Sequence, residues 1–195
     1  DQSGFINEIG FEMYQRILNE AIDELKEEKF QNLFKDEKQK FIVKDCQLDT
    51  DKEVLIPDNY VSSIEERLTL YKELNDIHDE ENLLIFKKNL VDRFGKTPNK
   101  INILFEAIRL RWKGKEIGFE RIVLKNDAIR AYFISNNQSK YFESRSFKKV
   151  LNYLRKNPKD CVLKEVKGKL SLSKQYIFQI SDAINLFQNI LNQNI

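Results

Sequence analysis

The stretch from Ser62 to Gly118 reads SSIEERLTLYKELNDIHDEENLLIFKKNLVDRFGKTPNKINILFEAIRLRWKGKEIG, and its punctuation decides the fold. Ser62 and Ser63 are each followed three residues later by a glutamate, Glu65 and Glu66, the pattern of a capping box. Ile64, Leu68, Tyr71 and Leu74 then recur at helical spacing. Asp79 is placed to cap a second helix carrying Leu83, Phe86, Leu90 and Phe94, and Gly95 is placed to end it, since glycine enters the left-handed region without a steric cost. Pro98 opens a third helix with Ile101, Leu104, Phe105, Ile108 and Trp112 on one side, closed by Gly118. Three consecutive amphipathic helices with short connections are the centre of the chain.

Upstream, Phe11, Tyr14, Leu18, Ala21, Ile22 and Leu25 predict a helix over 11–28. The charged segment 29–40 reads as a linker, so the expected organisation is a helical tail over 1–28, a linker over 29–40 and a folded domain over 41–195. Phe41–Leu48 and Glu53–Ile56 read as short strands split by a turn at Asp49-Thr50-Asp51.

Downstream, Arg121–Lys125 and Ala128–Ile134 predict a hairpin about Asn126-Asp127. Phe147, Val150, Leu151 and Leu154 mark another helix, ended before Pro158. Cys161–Val166 and Lys169–Leu172 predict a second hairpin about Lys167-Gly168, and Ile177, Ile180, Ile184, Phe187 and Leu191 a closing helix. Helices and strands fall in blocks rather than in alternation. The expected class is α+β, helices packed with short antiparallel strands and hairpins, preceded by an N-terminal helix.

Composition narrows the function. Of 195 residues, 41% are hydrophobic and 33% charged, but the charges nearly cancel to +2, so no strong overall attraction to nucleic acid or anionic lipid is expected, although a local patch remains compatible. No run approaches the roughly 20 apolar residues of a membrane span. Cys46 and Cys161 stand far apart, form no C-x-x-C pair and read as buried, reduced thiols, which points to the cytoplasm. The chain opens on Asp1 rather than methionine and is expected to be a processed or excised piece.

Catalytic patterns are missing. None of the six glycines sits in a P-loop or a G-x-G-x-x-G motif, so no nucleotide cradle is expected. The single histidine, His78, reads as a loop residue beside a helix start. The carboxylate pairs Glu65-Glu66 and Asp79-Glu80-Glu81 fall in first helical turns, where they complement the macrodipole, so capping explains them better than acid–base work or magnesium binding. Basic residues gather at Arg109, Arg111, Lys113 and Lys115, and again at Lys148, Lys149, Arg155, Lys156 and Lys159, with Tyr132, Phe133, Tyr141, Phe142 and Phe147 between them. That pattern leaves open a DNA- or RNA-binding accessory domain. Phe147 and Phe133 nevertheless fall on a helical apolar face and a strand, as core residues do.

Two stretches carry more than generic pattern. Ile56-Pro57-Asp58-Asn59-Tyr60-Val61 leads to Arg67-Leu68-Thr69-Leu70-Tyr71-Lys72, and Leu90-Val91-Asp92-Arg93-Phe94-Gly95 leads through Pro98 to Leu110-Arg111 and Gly118. In this order and spacing they resemble the C-terminal domain of the bacterial transcription-repair coupling factors (Mfd), from about Phe41 to Ser135. Asp1-Gln2-Ser3-Gly4 and Ile9-Gly10-Phe11-Glu12-Met13-Tyr14 look like the end of the translocation motif that these factors share with the RecG helicase, with Gln2 at its glutamine. Gly114 departs from the pattern, standing where a helix former such as alanine is usual, and a frayed or bent end to the third helix is expected there.

The resemblance implies a non-catalytic regulatory domain, without cofactor, inside an ATP- and magnesium-dependent translocase. Such a factor moves on double-stranded DNA, releases stalled RNA polymerase and recruits nucleotide excision repair through UvrA. Its C-terminal domain docks intramolecularly on a UvrB-like module and masks it. The residues placed for that docking are Asp92 and Arg93, with Arg67 nearby. The structural alternative is that Asp92 pairs with Arg67, or that Arg93 only ties down neighbouring backbone.

Overall fold

The computed structural model describes residues 10–11, 43–135, 140–166 and 168–194. Gln2, the expected helix over 11–28 beyond Phe11, the linker and the Lys167 side of the second turn lie outside the described residues. The described chain divides into two compact units, one holding Glu53–Phe105 with Gly10 and Phe11, the other holding 43–52 and 106–194.

The first unit is built on α1 (Ile64–Asn75) and α2 (Glu80–Phe94). Ser63 caps α1, its hydroxyl accepting from the Glu66 amide at 3.2 Å. Asp79 caps α2, accepting from the Asn82 amide at 2.9 Å. Those bonds hold the Asp79 carboxyl below its usual range. Gly95 ends α2 at φ 82°, and its amide donates to the Val91 carbonyl at 2.9 Å. Helix α3 (Asn99–Ile117) begins after Pro98, whose carbonyl accepts from Ile101. The buried face of α1 is Arg67, Leu70, Tyr71 and Leu74, whereas Ile64 and Leu68 are half-buried. The face is thus turned from the expected one, and it contains an arginine.

The second unit holds a five-stranded sheet in the order β1-β2-β3-β5-β4. The strands are β1 (Gln47–Thr50), β2 (Phe119–Lys125), β3 (Ala128–Phe133), β4 (Val162–Val166) and β5 (Lys169–Gln175). Both expected hairpins form with antiparallel pairing. The β2–β3 turn places Asn126 and Asp127 at φ 52° and 54°, the left-handed pair that matches strand twist in a two-residue hairpin. β1 joins β2 in parallel, which makes the sheet mixed. Ile122, Leu124, Ile129, Ala131, Phe133 and Leu172 are buried on one face. There they meet α4 (Arg145–Lys156), α5 (Ile180–Leu191) and the second half of α3, as in the Phe133–Phe147 and Phe119–Phe187 ring contacts at 5.6 and 5.2 Å.

Strand boundaries differ from expectation at several places: 43–46 are not strand, β2 begins at Phe119 rather than Arg121, and β5 runs to Gln175 rather than Leu172. Asp49 and Thr50 belong to β1 rather than to a turn, because Leu48 is buried against β2 while the Asp49 carboxylate pairs with Arg121. Glu53–Ile56 forms no strand; the Ile56 amide donates instead to the hydroxyl of Tyr71 at 2.8 Å.

Gly114 neither frays nor bends α3, which continues to Ile117. A Cβ there would stand 2.8 Å from Ile122 Cδ1 and 2.9 Å from Cys46 Sγ, both buried, so the glycine lets the helix approach the sheet. Gly118 follows at φ 107°, where a Cβ would run into the Tyr141 ring, whose hydroxyl donates to the Ile117 carbonyl. Overpacking and a forced left-handed residue act together at Gly118. Gly118→Ala is expected to destabilise the chain by about 2–4 kcal/mol in chemical denaturation. Gly114→Ala should cost only about 1 kcal/mol, because helix propensity offsets part of the clash. Equal midpoints for Gly118→Ala and the parent chain would contradict this packing.

Candidate docking site on the first two helices

Three side chains interlock the loop 56–61 with the helices of the first unit. Tyr71, fully buried, accepts from the Ile56 amide. Arg67, 4% exposed, donates through Nη1 to the Val61 carbonyl at 2.6 Å and to the Ser62 carbonyl at 3.1 Å. Tyr60 donates to the carbonyls of Leu90 at 3.2 Å and Gly95 at 2.9 Å, and its ring lies 5.8 Å from that of Phe94. The loop is closed on itself by the Tyr60 and Val61 amides, both donating to the Pro57 carbonyl. The end of α2 is therefore held from the loop rather than by a deeply buried Phe94, which is half-buried.

This scaffold presents Asp92 and Arg93. Arg93 pairs with Glu66 of α1 and lies 4.9 Å from the Phe94 ring centroid. Glu66 is thus committed across the helical hairpin. Asp92 is exposed and makes no ion pair among the described residues, with Arg67 or otherwise. A groove of about 250 Å³ beside them is lined by Leu70, Glu73, Phe86, Asn89, Leu90, Asp92 and Arg93. Leu70, Phe86 and Leu90 are buried, while Glu73, Asn89, Asp92 and Arg93 are exposed.

Next to the groove lies a surface the helical pattern alone did not single out. Leu84, Ile85 and Val91 are 54%, 51% and 40% exposed, and with Lys88 and Asp92 they share one face of α2 by their spacing. The signal was the run Leu83-Leu84-Ile85-Phe86: Leu83 and Phe86 fill the buried face, and the two residues between them cannot turn the same way.

The other candidates divide. His78 is exposed in the loop between α1 and α2. Among the described residues no group of three or more histidine, cysteine or acidic side chains is gathered as for a metal ion. Burial pushes the Cys46 thiol up to about 12, against the lowering influence of Arg111, and pushes Cys161 to about 12 as well. Neither supplies a thiolate at neutral pH. Arg111 is buried, donating to the Cys46 carbonyl at 2.8 Å and pairing with Asp45 at 2.6 Å. Phe133, Tyr141 and Phe147 are buried with their rings in tilted or edge-on contact and offer no faces to bases, whereas Tyr132 and Phe142 are half-buried. No described helix is long and apolar enough to cross a membrane.

The family model of the TRCF domain matches residues 50–144, which include the loop, both helices of the site and α3. The chain belongs to the TRCF domain family. It is 30% identical to the transcription-repair-coupling factor of Buchnera aphidicola over its whole length, and 34% identical to that of Rickettsia bellii over 70% of its length. The chain spans 23% of the first relative and 11% of the second. The crystal structure of the C-terminal domain of a transcription-repair coupling factor shares the fold, with a TM-score of 0.58 at 17% identity over 75% of this chain and 92% of that one.

The geometry separates folding from surface roles. Arg67→Met removes the partner of two backbone carbonyls and is expected to cost about 2–3 kcal/mol in denaturation. Arg93→Ala breaks a half-exposed ion pair and should cost less than about 1 kcal/mol. The reverse order would contradict the assignment of Arg67 to the scaffold.

Proposed function

We propose that this chain acts as the regulatory C-terminal domain of a cytoplasmic transcription-repair coupling factor, docking through the exposed face of α2 on the factor's UvrB-like module. The observation that carries the reading is Asp92, exposed and without an ion-pair partner among the described residues, beside Leu84, Ile85 and Val91. An apolar centre bordered by free charge suits an interface that must open again. Arg93 serves it indirectly, by bridging to Glu66 and fixing the helix that carries Asp92. In this reading the chain lacks a cofactor, and ATP and magnesium belong to the motor of the parent protein. Masking of the module restrains UvrA recruitment until the factor engages stalled RNA polymerase on double-stranded DNA.

The direct test is calorimetric titration of this chain with the UvrB-like module supplied separately. Asp92→Ala is expected to weaken binding about tenfold, near 1.4 kcal/mol, and Ile85→Asp by more, with unfolding midpoints unchanged. In the intact factor Asp92→Ala should raise UvrA binding and basal ATPase. Absence of binding by the parent chain, or equal affinity of the variants, sinks the reading.

A further inference from the structure

We propose that the outer face of α4 binds the phosphate backbone of duplex nucleic acid, without reading its sequence. Arg145, Lys148, Lys149, Arg155 and Lys156 recur at helical spacing along one side of α4, opposite the buried Phe147, Val150 and Tyr153. No acidic residue occurs from Arg145 to Lys159.

The stripe is uncompensated, in contrast to the cations of this chain that are held in ion pairs. Arg93, Lys100, Arg111, Arg121 and Lys174 each pair with a carboxylate. On α4 the acceptors are neutral: Lys149 donates to the Leu191 carbonyl at 2.6 Å, Lys156 to the Gln193 amide at 3.0 Å and Arg155 to the Asn152 amide at 3.3 Å. No cation of the stripe forms an ion pair among the described residues. Such bonds orient the charges without neutralising them. The charge is thus concentrated on one helix of a chain whose net charge is only +2.

The chemistry of the face selects the ligand. At 1.5 Å per residue the stripe runs for about 16 Å, a length over which a duplex carries roughly nine phosphates. Insertion into a membrane needs a broad apolar face on the same helix, and α4 buries Phe147, Val150 and Tyr153 and exposes only the single Leu151. Single-strand binding needs exposed stacking platforms, and the neighbouring Tyr141 and Phe147 are buried while the half-buried Phe142 is engaged edge-on with both. Cations without open stacking platforms or a broad apolar face match a regular array of phosphates.

The test is fluorescence polarisation of the whole chain with a labelled random-sequence duplex between about 50 and 200 mM salt. Four contacts predict an affinity loss of about 10²-fold across that range. Arg145→Gln/Lys148→Gln/Arg155→Gln/Lys156→Gln should abolish the salt-dependent binding while circular dichroism and the thermal midpoint stay unchanged. The milder Lys148→Gln/Lys156→Gln should lower the log–log salt slope by about two. Parental binding that is absent at low salt, or that survives in the quadruple variant, overturns the proposal. So does tighter binding to single strands, anionic vesicles or polyglutamate than to the duplex.

Discussion

The guanidinium of Arg67 is the constraint on which the first unit turns. Burying a cation costs several kcal/mol unless it is given hydrogen-bond partners, and here Nη1 donates to the Val61 and Ser62 carbonyls. That places the loop 56–61 against the start of α1, which in turn brings Tyr60 to the far end of α2. Tyr60 then occupies the Leu90 and Gly95 carbonyls where the helix stops. The position of Asp92 follows from a buried charge on another helix. Residues quoted for a family likeness thus have a physical reason to occur together: Ile56, Tyr60, Arg67 and Tyr71 are parts of one hydrogen-bonded assembly.

The second unit rests on close approach instead of buried charge. Gly114 and Gly118 let α3 and the ring of Tyr141 come nearer the sheet than any side chain would allow. A weak helix former inside α3 is therefore favourable on balance: propensity is lost locally, and contact with Cys46, Ile122 and Phe187 is gained. The expectation of a frayed helix weighed the first effect without knowing the second.

Helix limits, the hairpins and the capping residues were legible because each is written in local chemistry, such as Asp79 before a periodic run or Gly95 after one. The orientation of α1 was not legible, since an arginine inside the apolar series reads as solvent-facing until its carbonyl partners are seen. β1 was misplaced for a related reason: Asp49 looks like a turn residue, and only pairing with Arg121 from a distant strand makes it a strand residue. Of the three candidate docking residues, the structure puts Asp92 and Arg93 on the surface and Arg67 in the interior. Most of the apolar surface of the candidate site was present in the sequence as four consecutive hydrophobic residues, two more than this helix buries there.

The parallel pairing of β1 with β2 also bears on the order in which the chain folds. The β2–β3 and β4–β5 strands close over two-residue turns, whereas Gln47 and Arg121 are joined by the entire three-helix stretch. Loop closure over that distance adds little to the final free energy, since each doubling of a loop costs only about 0.6 kcal/mol, but it delays the contact. Contact order therefore predicts that the edge strand attaches after the hairpins have zipped, with that long-range encounter setting the pace.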